Sequence, residues 1–151
     1  MSKIKKIKSR QVFDSRGNPT IEAEIFSDND KSALAIVPSG ASTGSHEAYE
    51  LRDKNNNEYL GKSVFKAVEN IKGPISNALI NINVSDQLKI DEKLINLDGT
   101  EQKKKLGANA ILAVSIASCK LAAIEANVSL FKYLSKSKVF FIPIPLLNII
   151  N

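Results

Sequence analysis

Between Pro38 and Glu47 the chain reads Pro38-Ser39-Gly40-Ala41-Ser42-Thr43-Gly44-Ser45-His46-Glu47, a run of small, oxygen-bearing residues with no apolar period. The hydroxyls of Ser39, Ser42, Thr43 and Ser45 are neutral hard-oxygen groups of the kind that bind a cation or a phosphate. Gly40 and Gly44 give the backbone freedom at two points. The same composition also describes an ordinary connection between two ordered segments, so the flanking chain has to decide. His46, the only histidine, has the right intrinsic pKa for acid-base work, but no carboxylate in this chain is evidently placed to orient it. Cys119, the only cysteine, cannot close an internal disulfide; within its apolar run it reads as a small buried hydrophobe.

The elements around this loop follow from periodicity. Ile4 to Asp14 is basic and β-tolerant and runs into Asp14-Ser-Arg-Gly-Asn-Pro19, a dense turn signal that predicts a hairpin. Within it, Arg16 reads as a structural clamp. Thr20 to Ile25 alternates strictly, with Ile21, Ala23 and Ile25 on one face and Glu22 and Glu24 on the other, which is the pattern of a half-buried strand. Asp28-Asn-Asp30 turns the chain again, and Ala33 to Val37 predicts a third strand that Pro38 stops. Short turns between three strands imply an antiparallel meander.

From residue 60 onward the period becomes helical. Val64, Ala67, Val68 and Ile71 predict a helix that ends at Gly73-Pro74, with a shorter one resuming at Ile75. Leu88, Leu94 and Ile95 predict another, with Ser85 as N-cap and Gly99 as stop. Ala110 to Ala126 is apolar on almost every side and needs cover on more than one of them, which implies a missing neighbour. Leu130 to Leu134 predicts a last short helix after Ser129. Residues 139–151 are apolar and β-branched, as expected of a strand entering a second domain.

Composition bounds the class. With 151 residues, 43% of them hydrophobic and 25% charged, the chain has the make-up of a soluble globular domain. Lys and Arg exceed Asp and Glu by 21 − 16 = 5, but the lysines are scattered and without interleaved aromatics, so a nucleic-acid partner is not expected. No secretory h-region follows the basic start, and the most apolar stretch carries Asn109, Lys120 and Glu125, so no membrane span is expected. With one unpaired cysteine, a cytoplasmic location is the expectation.

Taken together, six strings resemble the enolases, the phosphopyruvate hydratases. They are Asp14-Ser-Arg-Gly-Asn-Pro-Thr20, Pro38-Ser-Gly-Ala-Ser-Thr-Gly44, Glu50-Leu-Arg-Asp53, Leu97-Asp-Gly-Thr100, Leu106-Gly-Ala-Asn-Ala-Ile-Leu-Ala-Val-Ser115 and Pro143-Ile-Pro-Leu-Leu-Asn-Ile-Ile-Asn151. The resemblance implies an α+β domain over residues 4–134, a meander followed by helices. Residues 139–151 would form the linker and first strand of a much larger α/β barrel absent from this sequence. It implies an Mg²⁺-dependent lyase that interconverts 2-phosphoglycerate and phosphoenolpyruvate in glycolysis, with the base, the acid and most metal ligands in that barrel. The 151-residue chain alone is therefore expected to be inactive.

Carried over residue by residue, Ser39, Gly40, Ala41, Ser42, Thr43 and Gly44 match a mobile active-site lid, and Ser42 matches the ligand of the second of two Mg²⁺ ions. Arg10 and Glu22 match subunit salt-bridge positions in a homodimer, although outward strand charges are ordinarily just solvated. Family members range from dimers to larger rings, and cell-surface or secreted pools are also implied by the resemblance. Two other readings compete: a stand-alone dimerisation or binding module without catalysis, and a basic module for an anionic partner. An in-frame continuation into a barrel separates the first from enolase; steeply salt-dependent nucleic-acid affinity marks the second.

Overall fold

The computed structural model describes residues 2–38, 44, 47–135, 137 and 139–147. Strands β1 (Ile4–Phe13), β2 (Pro19–Ser27) and β3 (Ser32–Val37) form one antiparallel sheet in sequence order. The expected hairpin is built by Asp14, whose Oδ1 accepts the N–H groups of Arg16 and Asn18, both at 2.9 Å. Gly17 takes φ +75° in that turn, a conformation a side chain would resist. The alternation in β2 holds on its inner face: Ile21, Ala23 and Ile25 are wholly buried, opposite Ala33 and Ala35 of β3.

The helices are α1 (Phe65–Asn70), α2 (Ser76–Leu79), α3 (Gln87–Asp98), α4 (Ala108–Glu125) and α5 (Leu130–Leu134). Helix α4 lies across β2 and β3, while α1 reaches β1, where the Ser9 hydroxyl donates to the Val68 carbonyl at 3.0 Å. Ala110, Ala113 and Ala117 face the sheet beside Val114 and Leu121. These small side chains let the helix axis come close, and the buried aliphatics add about 1.5–3 kcal/mol each.

Two boundaries differ from the sequence expectation. The helix does not break at Gly73-Pro74: residues Ile71–Ile75 form a single π-turn joining α1 to α2. The Ser76 N–H reaches the Ile71 carbonyl, five residues back. Widening the turn accommodates a proline that has no N–H to give and whose ring crowds the preceding turn. The N-cap of α3 is Asp86 rather than Ser85; its carboxylate accepts from the Lys89 N–H, while the Ser85 hydroxyl bonds Asn83 instead. Gly99 stops that helix with φ +68°, as expected.

Helix α4 starts at Ala108, and Leu112 and Ile124 on its outer side are largely exposed. Among the described residues it is the one helix long and apolar enough to cross a membrane, yet half of it is buried against the sheet and its neighbouring helices, as a core helix is. Residues 139–147 pair with no strand among the described residues and lie exposed, Leu146 by 99%, and the Phe140 ring meets Phe131 edge-on at 5.0 Å.

Candidate functional site

The Ser/Gly loop leaves the sheet at a fixed point. The Val37 carbonyl accepts a hydrogen bond from the Thr20 hydroxyl of the neighbouring strand, and Pro38 follows. Ser39, Gly40, Ala41, Ser42 and Thr43, and also His46, lie outside the described residues, so the metal-ligand expectation for Ser42 lies there too. Gly44 is described: its carbonyl accepts from the Glu47 N–H at 3.2 Å. Among the described residues no group of three or more His, Cys, Asp or Glu is placed to hold a metal.

Val37, Pro38 and Gly44 form one wall of a cavity of about 550 Å³. Tyr49, Glu50, Arg52 and Lys54 form a second wall, and Ala108, Asn109 and Leu112 of α4 a third. The second wall is an arm that runs from Glu47 to Lys54 without regular secondary structure and is tied down at nearly every residue. The Tyr49 N–H donates to the Gln102 carbonyl at 2.7 Å, and its own carbonyl accepts from Ala108 at 2.8 Å. The Asn109 side chain pairs with both backbone groups of Leu51, accepting its N–H and donating to its carbonyl, each at 3.1 Å. Arg52 Nη1 donates to the carbonyls of Pro19, at 3.2 Å, and Lys62, while its Nη2 meets the Glu50 carboxylate at 2.8 Å.

Asp53, next to the arm's end, also caps the start of α1. Its two carboxylate oxygens accept the N–H groups of Phe65 and Lys66 at 2.7 and 2.9 Å, capping a helix whose own N-cap, Val64, has no side-chain acceptor. The string Glu50-Leu-Arg-Asp53 is therefore an anchoring device. The string Leu97-Asp-Gly-Thr100 works similarly: buried Asp98 accepts from the Thr100 N–H and hydroxyl and, at 2.7 Å, from the Leu106 N–H. Burial pushes the Asp98 carboxyl up, but the Thr100 hydroxyl and these backbone donors outweigh it and hold the group below the usual carboxylate range. Sequence reasoning assigned no role to Asp53, Asp98 or Asn109. The available signal was a carboxylate or amide bordering a segment without period, where backbone groups need partners.

On the outward sheet face Arg10 and Glu22 stand opposite each other in register and pair at 2.7 Å. The Glu22 side chain is only 8% exposed while Arg10 is 69% exposed, so Glu22 is not the solvated strand charge expected from its position. Beside them Lys8 sits over the Phe26 ring, and Leu34 and Ile36 are each 44% exposed. Arg16, in the hairpin turn, lies 3.7 Å from Asp14, in keeping with a clamp. Cys119 is half-buried rather than fully buried; burial, then the nearby Asp91, push its thiol up, which disfavours a nucleophilic thiolate.

The family model described as "Enolase, N-terminal domain" matches residues 4–134. The chain is 60% identical, over all 151 of its residues, to a protein named enolase from Pelagibacter ubique (strain HTCC1062). It spans 36% of that relative's length.

Proposed function

The chain belongs to the enolase family by its N-terminal domain, and from that membership we propose that it forms part of an enzyme dehydrating 2-phosphoglycerate to phosphoenolpyruvate. Residues 4–134 are the N-terminal domain and residues 139–151 lead into a barrel that carries the base and the acid. The observation that carries this reading is that Val37 and Pro38, which lead into the Ser/Gly run, and Gly44 and Glu47, toward its far end, all line one cavity of about 550 Å³.

In this reading Ser39, Gly40, Ala41, Ser42, Thr43 and Gly44 close the site and exclude water from it. Ser42 offers a neutral oxygen to one Mg²⁺ whose other ligands come from outside this chain. When bound, Mg²⁺ supplies positive charge against the negative charge that develops as the substrate's C2 proton leaves. The residues of this chain orient and enclose; none of them transfers the proton. The location is cytoplasmic.

Ser42→Ala in the full-length enzyme tests the reading: turnover of 2-phosphoglycerate should fall by about 10²-fold and the Mg²⁺ half-saturation should rise, with the thermal transition unmoved. Unchanged kinetics removes Ser42 from the site. A second reading, a non-catalytic dimerisation module, is favoured by one observation, the half-exposed Leu34 and Ile36 beside the Arg10–Glu22 pair. Activity of the full-length protein argues against it.

A further inference from the structure

Asn109 is the second residue of α4, and its side-chain amide is buried where the helix meets the arm. It uses one acceptor and one donor on the two backbone groups of a single residue, Leu51, so it acts as a short length of β-ladder. The amide carries both functions side by side on one planar group; an ionised aspartate would set a charge against the Leu51 carbonyl and donate nothing. The preceding residue makes the approach possible. Gly107 has φ +93°, and a Cβ there would lie 2.5 Å from the Leu51 Cβ and 2.5 Å from the Asn109 Oδ1. No side chain fits between arm and helix.

The arm's charged residues depend on this contact. Leu51 packs toward the core, and the residues on either side of it, Glu50 and Arg52, pair with each other along the cavity wall. Arg52 carries the same fixation across to the hairpin and to Lys62 through its bonds to the carbonyls of Pro19 and Lys62. A displacement at Leu51 is therefore passed to two charged side chains at the cavity.

We propose that Asn109 is a positioning residue, which through Leu51 sets the placement of the 47–54 arm and so of the cavity's charged wall in the assembled active site. The proposal rests on the enolase reading above. It is tested in the full-length protein with Asn109→Asp, reading hydrogen exchange by mass spectrometry together with turnover of 2-phosphoglycerate. Exchange in the peptide spanning residues 47–54 should quicken by about tenfold while residues 110–121 keep their protection. The kcat should fall by about tenfold with KM changed by less than about twofold, as a misplaced but occupied site behaves. Unchanged exchange in the arm overturns the proposal, and so does an equal loss of protection in both peptides, which marks a merely structural role. Faster exchange with unchanged kcat, while Ser42→Ala still lowers turnover, overturns the positioning role and leaves the enolase reading standing. If the unsubstituted full-length protein does not turn over 2-phosphoglycerate, the enolase reading falls and this inference with it. Should Asn109→Asp not fold, Arg52→Lys keeps the charge, releases the arm from its other side, and must quicken exchange in the same peptide.

Discussion

Asp98 shows how a single side chain can organise a segment that has no period of its own. Three donors converge on a carboxylate that is otherwise removed from water, so its charged form is favoured in the folded protein. Its folded pKa lies below the ordinary value of about 3.9. The stabilisation is therefore present above that value and lost as pH falls through the folded one. Asp98→Asn keeps the shape but loses the charge-assisted bonds, and urea unfolding at pH 7 should show a loss of about 1–3 kcal/mol. The gap between the two proteins should narrow as the pH is lowered below about 4. A constant gap down to acid pH would mean that the Asp98 charge contributes nothing to folding.

At the scale of the elements, α4 joins the meander to the loop region. Its buried stripe covers β2 and β3, its N-terminus holds the arm through Ala108 and Asn109, and its outer side presents Leu112 to the cavity. Leu121→Ala, at a wholly buried position, should cost about 2–5 kcal/mol in denaturant unfolding. Leu112→Ala, on the exposed side, should stay within about 0.5 kcal/mol. Equal costs would show that the outer side is packed as tightly as the inner. Helix α1 depends on a residue distant in sequence for its cap, so Asp53→Ala should cost about 0.5–2 kcal/mol by the same measurement.

At the scale of the whole molecule, two surfaces are unlike an isolated domain's. The outward sheet face carries the Arg10–Glu22 pair with half-exposed Leu34 and Ile36, and residues 139–147 expose a run of large apolar side chains. If the homodimer implied by the family resemblance uses this face, Arg10 and Glu22 exchange their internal pairing for contacts across subunits. Arg10→Glu would then set two carboxylates together and weaken self-association of the full-length protein by about tenfold, measured by sedimentation. An unchanged mass distribution would place the dimer surface elsewhere.

The amino-acid sequence determined the meander and the helical layer, because the strict alternation from Thr20 to Ile25, the helical spacing beyond residue 60 and the hydrogen-bonding turn at Asp14 are local patterns, and it determined the family through six recognisable strings. It also marked Gly99 as a helix stop, since that too is local backbone chemistry. It misread Pro74, where the fold widens one turn instead of ending the helix, and Ser85, one residue from the true cap. The tertiary structure alone decided the anchoring of the arm. Leu51 and Asn109 are 58 residues apart, Asp53 and Phe65 are 12 apart, and Arg52 reaches back 33 residues to Pro19. No period along the chain records such partners, because a backbone group that lacks a regular neighbour takes whichever donor or acceptor packing brings within reach.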